Sequence, residues 1–398
     1  MDFTLPPEIE RTRRDIRDFV AAEILPLERE PANYDDGENI RLDVLDDVRA
    51  KARAAGLWAL QSPRERGGLG LSRVGMAACY EEMGRSIFGP ACFNCAAPDD
   101  GNMMLLANAG TKAQQDKWLQ PIIDGKVRSS FVMTEPMPGA GSDPAAMKTR
   151  AEKKGDRWVI RGHKWFITGA AVAKHFILIA RTTEDARKGL TAFLFHADQP
   201  GWTLDRKIPI MGPEEHGGHC EMTLHGLEIA EENVLLNLGD GLKATQIRLG
   251  PARLTHCMRW LGMAKRAIEI CLEYVRERES FGLKLADHEG VQWLLGEAAM
   301  EIEIGRMLTM RAAWKLDQGD FARKEVSMAK VAVADVLHKS IDTAMQLMGA
   351  KGYSRDVPLE WMYRYARQAR LVDGASEVHK MVMSRFLLNE GIDFWKWT

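Results

Sequence analysis

A chain of 398 residues is too long for one small core and suits two or three packed domains. With 45% hydrophobic and 28% charged residues and a formal net charge of −2, it has the composition of an ordinary globular protein. No long run of like charges forms the basic stripe of a nucleic-acid binder, and no apolar stretch approaches the roughly 20 residues that span a bilayer.

The N-terminus, MDFTLPPEIERTRRD, lacks the apolar core and cleavage site of a secretory signal and is too acidic for a transit peptide. Residues 1–126 read as helical. Charges and aliphatics alternate at helical spacing in EIERTRRDIRDFVAAEILPLERE, which Pro26 ends, and in LDVLDDVRAKARAAGLWAL. A glycine-rich turn and a helix follow in SPRERGGLGLSRVGMAACYEEMGR. GTKAQQDKWLQPIIDGK predicts a helix with Thr111 at its N-cap. Cys92 and Cys95 form a CxxC pair without a second pair or a βαβ context. All six cysteines (Cys79, Cys92, Cys95, Cys220, Cys257, Cys271) read as unpaired thiols of a reducing compartment.

Residues 127–238 change character. Short β-branched and aromatic runs, SSFVMTE, RWVIRG, KWFITGA, HFILIAR, LTAFLFH, GWTLDR and CEMTLHG, are punctuated by glycine, proline and charge, which predicts a small β-domain. Within it, TEPMPGAGSD reads as an irregular loop. Its amides, with Thr134 and Ser142, either cradle a polar or anionic group or simply join two strands. The HGGH of residues 216–219 suggests metal only weakly, because the flanking sequence offers no third ligand; His216, His219 and His256 read as substrate contacts or as structural residues.

Residues 239–398 return to helical patterning. Val291, Leu294, Leu295, Ala298 and Ile302 fall on one face, and EVSMAKVAVADVLHKSIDTAMQLMGA is apolar around much of its circumference, as a helix buried in a bundle or interface would be. Trp395 and Trp397 are expected to pack on a neighbouring subunit. Near the end, RLVDGASEVHK carries Asp373 before Gly374. Read locally, this is an Asp-Gly turn before a helix capped by Ser376.

Four ordered segments alter that reading. FVMTEPMPGAGSD with GDRWVIRGHKWFITGA closely resembles the flavin-binding β-domain of the acyl-CoA dehydrogenase family. RERESFG resembles the family's R-x-x-FG segment, and QLMGAKGYSRDVPLEWMYRYAR its Q-x-x-GG-x-G segment. RLVDGASEVHK falls where the family carries its catalytic carboxylate. HGGHCEM, GPARLTHCMR and D-G-x-x-E-V-H together resemble a subgroup with aspartate in place of the usual glutamate. That subgroup includes animal proteins in which the domain follows a kinase-like one.

The resemblance implies an α+β fold: an N-terminal helical domain, a middle β-barrel or sandwich, and a C-terminal four-helix bundle. It implies FAD as cofactor. Phe131, Met133 and Thr134 would contact the flavin ring, with Phe166, Ile167 and Thr168 beside it and Ser142 between FAD and the CoA moiety. Arg278 and Phe281 would hold the pyrophosphate and adenine ends, with His288, Gln292 and Glu377 as further cofactor contacts. Gln346 and Gly349 would reach FAD bound to a neighbouring subunit. Asp373 would take the α-proton, from a buried site that raises its pKa, with Arg253 and Gly374 on the substrate side. Three departures stand out: Ala350 for the second glycine of Q-x-x-G-G, Ala375 for the threonine after E-G, and the inserted Met137-Pro138.

The expected activity is FAD-dependent conversion of an acyl-CoA to a 2,3-enoyl-CoA, with electrons passed to an electron-transfer flavoprotein, by a homodimer or homotetramer. The alternatives are an enzyme dedicated to 4-hydroxy- or 4-phosphoacyl-CoA and a non-catalytic flavin-fold binding subunit. The expected location is a bacterial cytoplasm or, for a processed form, the mitochondrial matrix.

Overall fold

The structure is a computed structural model that describes residues 3–185 and 188–396; Trp397 lies outside them. The chain opens with α1 (Pro7–Phe19), which has proline in its first turn and Glu8 and Glu10 at its positive end. Helices α2 (Leu42–Ala54), α3 (Arg73–Met83) and α4 (Asp99–Ala109) follow. Thr111 caps the next helical segment in a capping box with Gln114, as its sequence predicts.

The strands are β1 (Arg128–Val132), β2 (Arg150–Lys154), β3 (Arg157–Thr168), β4 (Ala173–Arg181), β5 (Leu190–His196), β6 (Trp202–Lys207), β7 (His219–Ala230) and β8 (Val234–Leu235). They run in the order β6-β7-β3-β2-β4-β5-β8, with β1 added parallel to β4. The predicted runs RWVIRG and KWFITGA are one strand, β3. Opposite β7, the step from Lys164 to Ile167 matches the shorter step from Met222 to Cys220. The extra residue is a bulge that lifts Trp165 and Phe166 out of the ladder. Phe166 takes a left-handed φ of 51° there.

Helices α5 (Gly241–Glu277), α6 (Glu289–Asp317), α7 (Arg323–Met348), α8 (Leu359–Ala366) and α9 (Ser376–Glu390) complete the chain. The helices before and after the sheet share one core: Ile16, Leu45 and Tyr80 pack in the same cluster as Trp260, Val333 and Met362. Of the face predicted on α6, Ala298 and Ile302 are buried, but Leu294 is exposed. Ser376 does not cap α9. Ala375 is the N-cap residue, and the Ser376 hydroxyl is buried without a partner among the described residues.

A buried ion pair shapes the irregular loop after β1. Lys164, fully buried, donates to Glu135 at 3.1 Å and to the carbonyls of Met133 and Ile179 at 2.8 and 3.0 Å. Glu135 also accepts from the amides of Ala140, Lys148 and Thr149. Burial pushes the Glu135 carboxyl up, but the Lys164 charge and these amides outweigh it and hold it at about 2. Burial lowers Lys164 to about 8, against the pull of Glu135. The pair is charged at neutral pH. Gly139 is required where it stands, since a Cβ would meet Glu135 Oε2 at 2.3 Å. Lys164→Met should strand the carboxylate and cost about 3–5 kcal/mol. Urea unfolding reads that directly, and an unchanged midpoint would show that the loop is held by something else.

Candidate active site

The bulge, the loop and the helices enclose a cavity of about 1290 Å³. Its β-wall carries Phe131, Met133, Thr134, Ser142, Trp165, Phe166, Thr168 and His219, and its helical wall carries Arg248, Arg253, Asp373, Gly374 and His379. Of the residues singled out by sequence, Phe131, Met133, Thr134, Ser142, Phe166, Thr168, Arg253, Asp373 and Gly374 therefore meet in one place. Ile167 does not line it; it is buried in the core of the sheet.

Asp373 sits at a left-handed φ of 52°, in the turn between a 3-10 segment ending at Arg370 and α9. Two cations fix this turn. Arg253 Nε donates to the Asp373 carbonyl at 2.7 Å, and Lys330 Nζ donates to the carbonyls of Ala369 and Gly374 at 2.5 and 3.1 Å. Gly374 has φ 101°, and a Cβ there would meet His379 Nε2 at 3.1 Å and Arg253 Nη2 at 3.5 Å. Glycine thus leaves room for these side chains as well as bending the chain.

The carboxylate is gripped from α5. Arg248 Nη1 lies 3.2 Å from Oδ1 and His256 Nε2 lies 3.3 Å from Oδ2. Arg248 also rests over the Phe131 ring and donates to Asn102. Burial pushes the Asp373 carboxyl up, but Arg248, then His256 and Arg253, outweigh it and hold it well below the ordinary range. This corrects the sequence-based expectation of a raised pKa: desolvation is present, and the two arginines with the His256 hydrogen bond outweigh it. Arg253 reaches the carbonyl rather than the carboxylate, so the ionic role falls to Arg248. Arg248, Lys330 and His379 were not anticipated from the sequence. Their signal was there as charged residues inside apolar helical runs, such as the lysine of MAKVAVADV.

The other predicted cofactor contacts lie elsewhere. Arg278, Phe281, His288, Gln292, Gln346, Gly349 and Glu377 are not among the residues lining the cavity. Phe281 is 97% exposed at a left-handed φ of 54°, on the small hairpin Glu279–Lys284. Lys351, just beyond α7, lies over the ring of Tyr274 in the last turn of α5. An aromatic held out in a strained conformation, in a chain that also exposes Arg278, Gln292 and Gln346, suits a long ligand with an aromatic end. The cavity itself suits a flat ring next to Phe166. In these two places the residues fit FAD.

Of the histidines, His219 lines the cavity and its Nδ1 lies 3.0 Å from Thr168 Oγ1. His216 instead pairs with the Ile40 carbonyl at 2.6 Å and ties its loop to the N-terminal helices. No group of metal-ligating side chains occurs among the described residues, and all six cysteines are buried and free. No helix among the described residues is long and apolar enough to cross a membrane.

Burial, then the charges of Arg253 and Lys330, lower His379 to about 4. Its folded pKa lies below its unfolded value of about 6.5, so between these values the unfolded chain binds more protons. Stability is then lost as pH falls from about 6.5 towards 4. His379→Gln should flatten this part of the stability–pH curve by about 1–3 kcal/mol, read by urea titrations at pH 7 and pH 4.5. Parallel curves would refute a buried neutral imidazole.

Comparison with known proteins gives a consistent result. Family profiles match along the chain: the acyl-CoA dehydrogenase N-terminal domain over residues 6–126, the middle domain over 130–227 and the C-terminal domain over 239–388. The chain is 37% identical to a Mycobacterium tuberculosis protein named acyl-CoA dehydrogenase FadE2, over 97% of this chain and 96% of that one. It is 37% identical to acyl-CoA dehydrogenase family member 11 of Gallus gallus, over 94% of this chain but 49% of the relative, so it spans about half of that protein's length. A solved Mycobacterium abscessus structure described as an acyl-CoA dehydrogenase superposes with a TM-score of 0.90 at 35% identity, over 98% of this chain and 100% of that one.

Proposed function

The chain belongs to the acyl-CoA dehydrogenase family, and on that premise we propose that it is an FAD-dependent enzyme that desaturates an acyl-CoA between its α- and β-carbons, with Asp373 as the base. The observation that carries this reading is the turn at Asp373. It presents a largely buried carboxylate into the cavity that Phe166, Thr168 and Ser142 wall from the other side. FAD, when bound, supplies the acceptor for the hydride leaving the β-carbon.

The chain's own residues do the rest. Phe131, Met133, Thr134, Phe166 and Thr168 hold the flavin end. Arg278, Phe281, His288, Gln292, Gln346, Gly349 and Glu377 serve the remainder of FAD across a subunit contact. Ser142 lies at the CoA entrance, beside the exposed Met137 of the insertion. The Asp373 amide donates to the thioester oxygen and so acidifies the α-carbon. The α-proton passes to the Asp373 carboxylate, whose Oδ1 pairs with Arg248 and whose Oδ2 is buried without a hydrogen bond among the described residues. A carboxylate this strongly paired is always ionised but weakly basic. Bound substrate, by excluding water, must raise its basicity for the step to proceed.

A second reading concerns the acyl chain. Arg253, Arg323 and His379 line the cavity, and His379 Nε2 is buried without a partner among the described residues. These donors favour a chain with a 4-hydroxy or 4-phosphoryl group over a plain one. Anaerobic mixing of the holoprotein with plain and 4-substituted acyl-CoAs tests both readings. The wild type should bleach the oxidised flavin with one class, and Asp373→Asn should keep its flavin and fail to bleach. If no acyl-CoA bleaches the wild type, the alternative of a non-catalytic flavin-binding subunit is left standing.

We further propose that the enzyme is a homo-oligomer joined along α6 and donates its electrons to an electron-transfer flavoprotein. Trp293, Met300, Ile304, Met307 and Trp314 form an exposed apolar stripe at helical spacing on α6. Ile304→Glu should lower the mass found by light scattering and weaken flavin retention. Native mass with full flavin would place the contact elsewhere.

A further inference from the structure

One side of Asp373 faces the cavity and the other faces α5. On that helix His256 is buried, and its ring stacks on Trp260 with centroids 5.0 Å apart. His256 Nδ1 lies 3.2 Å from Arg259 Nη2. A guanidinium only donates, so Nδ1 accepts and carries no proton. The ring proton therefore sits on Nε2, the nitrogen 3.3 Å from Asp373 Oδ2.

Arg259 cannot easily turn away. Its Nη1 donates to Asp100 Oδ2 at 2.6 Å and to the Cys95 carbonyl at 2.7 Å, and Thr255 donates to the same Asp100 oxygen at 2.9 Å. Asp100 and Arg259 are both buried. A fixed row thus runs Asp100, Arg259, His256, Asp373. Each member sets the donor direction of the next, as a second group orients the imidazole in other acid–base sites.

We propose that His256 is a positioning residue for the base: Arg259 fixes its tautomer, and its Nε2–H holds the buried Oδ2 of the short aspartate on the α5 side, which sets the direction of Oδ1 towards the α-carbon. Oδ2 makes no hydrogen bond among the described residues and lies within 3.3 Å of the ring, so a small rotation of the carboxylate completes the bond. Oδ2 is then held against α5, and the lone pair of Oδ1 that Arg248 does not use is left for the proton. An aspartate has one fewer torsion than a glutamate, so Arg248 on Oδ1 and His256 on Oδ2 together leave the carboxylate no free rotation. The inference rests on the reading of Asp373 as the base.

The test compares holoprotein variants His256→Gln and His256→Met with Asp373→Asn. Glutamine can accept from Arg259 and donate to Asp373; methionine is close to it in size, accepts only weakly and cannot donate. At saturating acyl-CoA, His256→Met should reduce its flavin roughly 100-fold more slowly than wild type with KM nearly unchanged, and His256→Gln should recover most of the rate. If His256→Met matches wild type while Asp373→Asn is inactive, the inference falls and the base reading stands. If Met and Gln are equally slow, the ring acts by packing and the donor role is overturned. If Asp373→Asn is as fast as wild type, the base reading fails and takes this inference with it. Should His256→Met not fold, the 15N spectrum of histidine-labelled wild-type holoprotein decides: a proton on Nε2 supports the proposal and one on Nδ1 overturns it.

Discussion

The β-domain's half of the site depends on one buried ammonium. Taking Lys164 and Glu135 out of water costs several kcal/mol for each ion, and the hydrogen bonds that each makes offset that cost. Lys164 reaches two backbone carbonyls and Glu135 collects three amides. A hydrophobic pair of the same volume would be no less stable, but it could not make these bonds. The ions therefore specify a path more than they add stability. That path runs from Met133 through the loop to Thr149, and it sets where Thr134 and Ser142 stand.

The helical half uses charge differently. Around Asp373 the cations outnumber the carboxylate: Arg248 on one oxygen, Arg253 on the carbonyl, Lys330 under the turn. Burial lowers Lys330 to about 8, and it remains the donor to two carbonyls. Such crowding holds a left-handed aspartate in place, where a β-region conformation would otherwise be preferred. It also keeps the carboxylate ionised across the physiological range. The balance between a fixed base and a strong base is struck towards the fixed one, and the remaining basicity has to come from what fills the cavity.

Much of this was legible in the sequence, for physical reasons. Long helices announce themselves by period, as the apolar run at residues 325–350 shows, and Thr111 announces a helix start by its capping chemistry. The loop residues are legible because proline and glycine restrict or free the backbone in known ways. Strand β2, with the sequence RAEKK, was missed because only Ala151 of it is buried, so it carries no apolar signal. The break at His163 between RWVIRG and KWFITGA is no turn: both runs belong to β3, and the kink falls later, between Lys164 and Ile167. Arg248, Lys330 and His256 could not be paired with the Asp373 turn from sequence: a charge in an apolar helical run marks each as unusual, but they act across 39 to 125 residues of chain, and the local pattern does not name a partner that distant. Ser376 misled for a simpler reason: one residue's shift in the helix start turned a capping hydroxyl into a buried one.

The bulge at Trp165 and Phe166 ties two properties that are usually separate. Side chains along a strand alternate between faces, so one surplus residue reverses every later assignment. Ile167 lies in the core and Lys164 is buried with Glu135 because that surplus sits between them. Losing a single residue here would not merely pull an aromatic out of the cavity. It would invert the parity of the strand and exchange inside for outside up to Thr168. Length variation in this part of the chain is thereby confined to the hairpin tips, and the wall of the active site inherits the intolerance of the sheet that carries it.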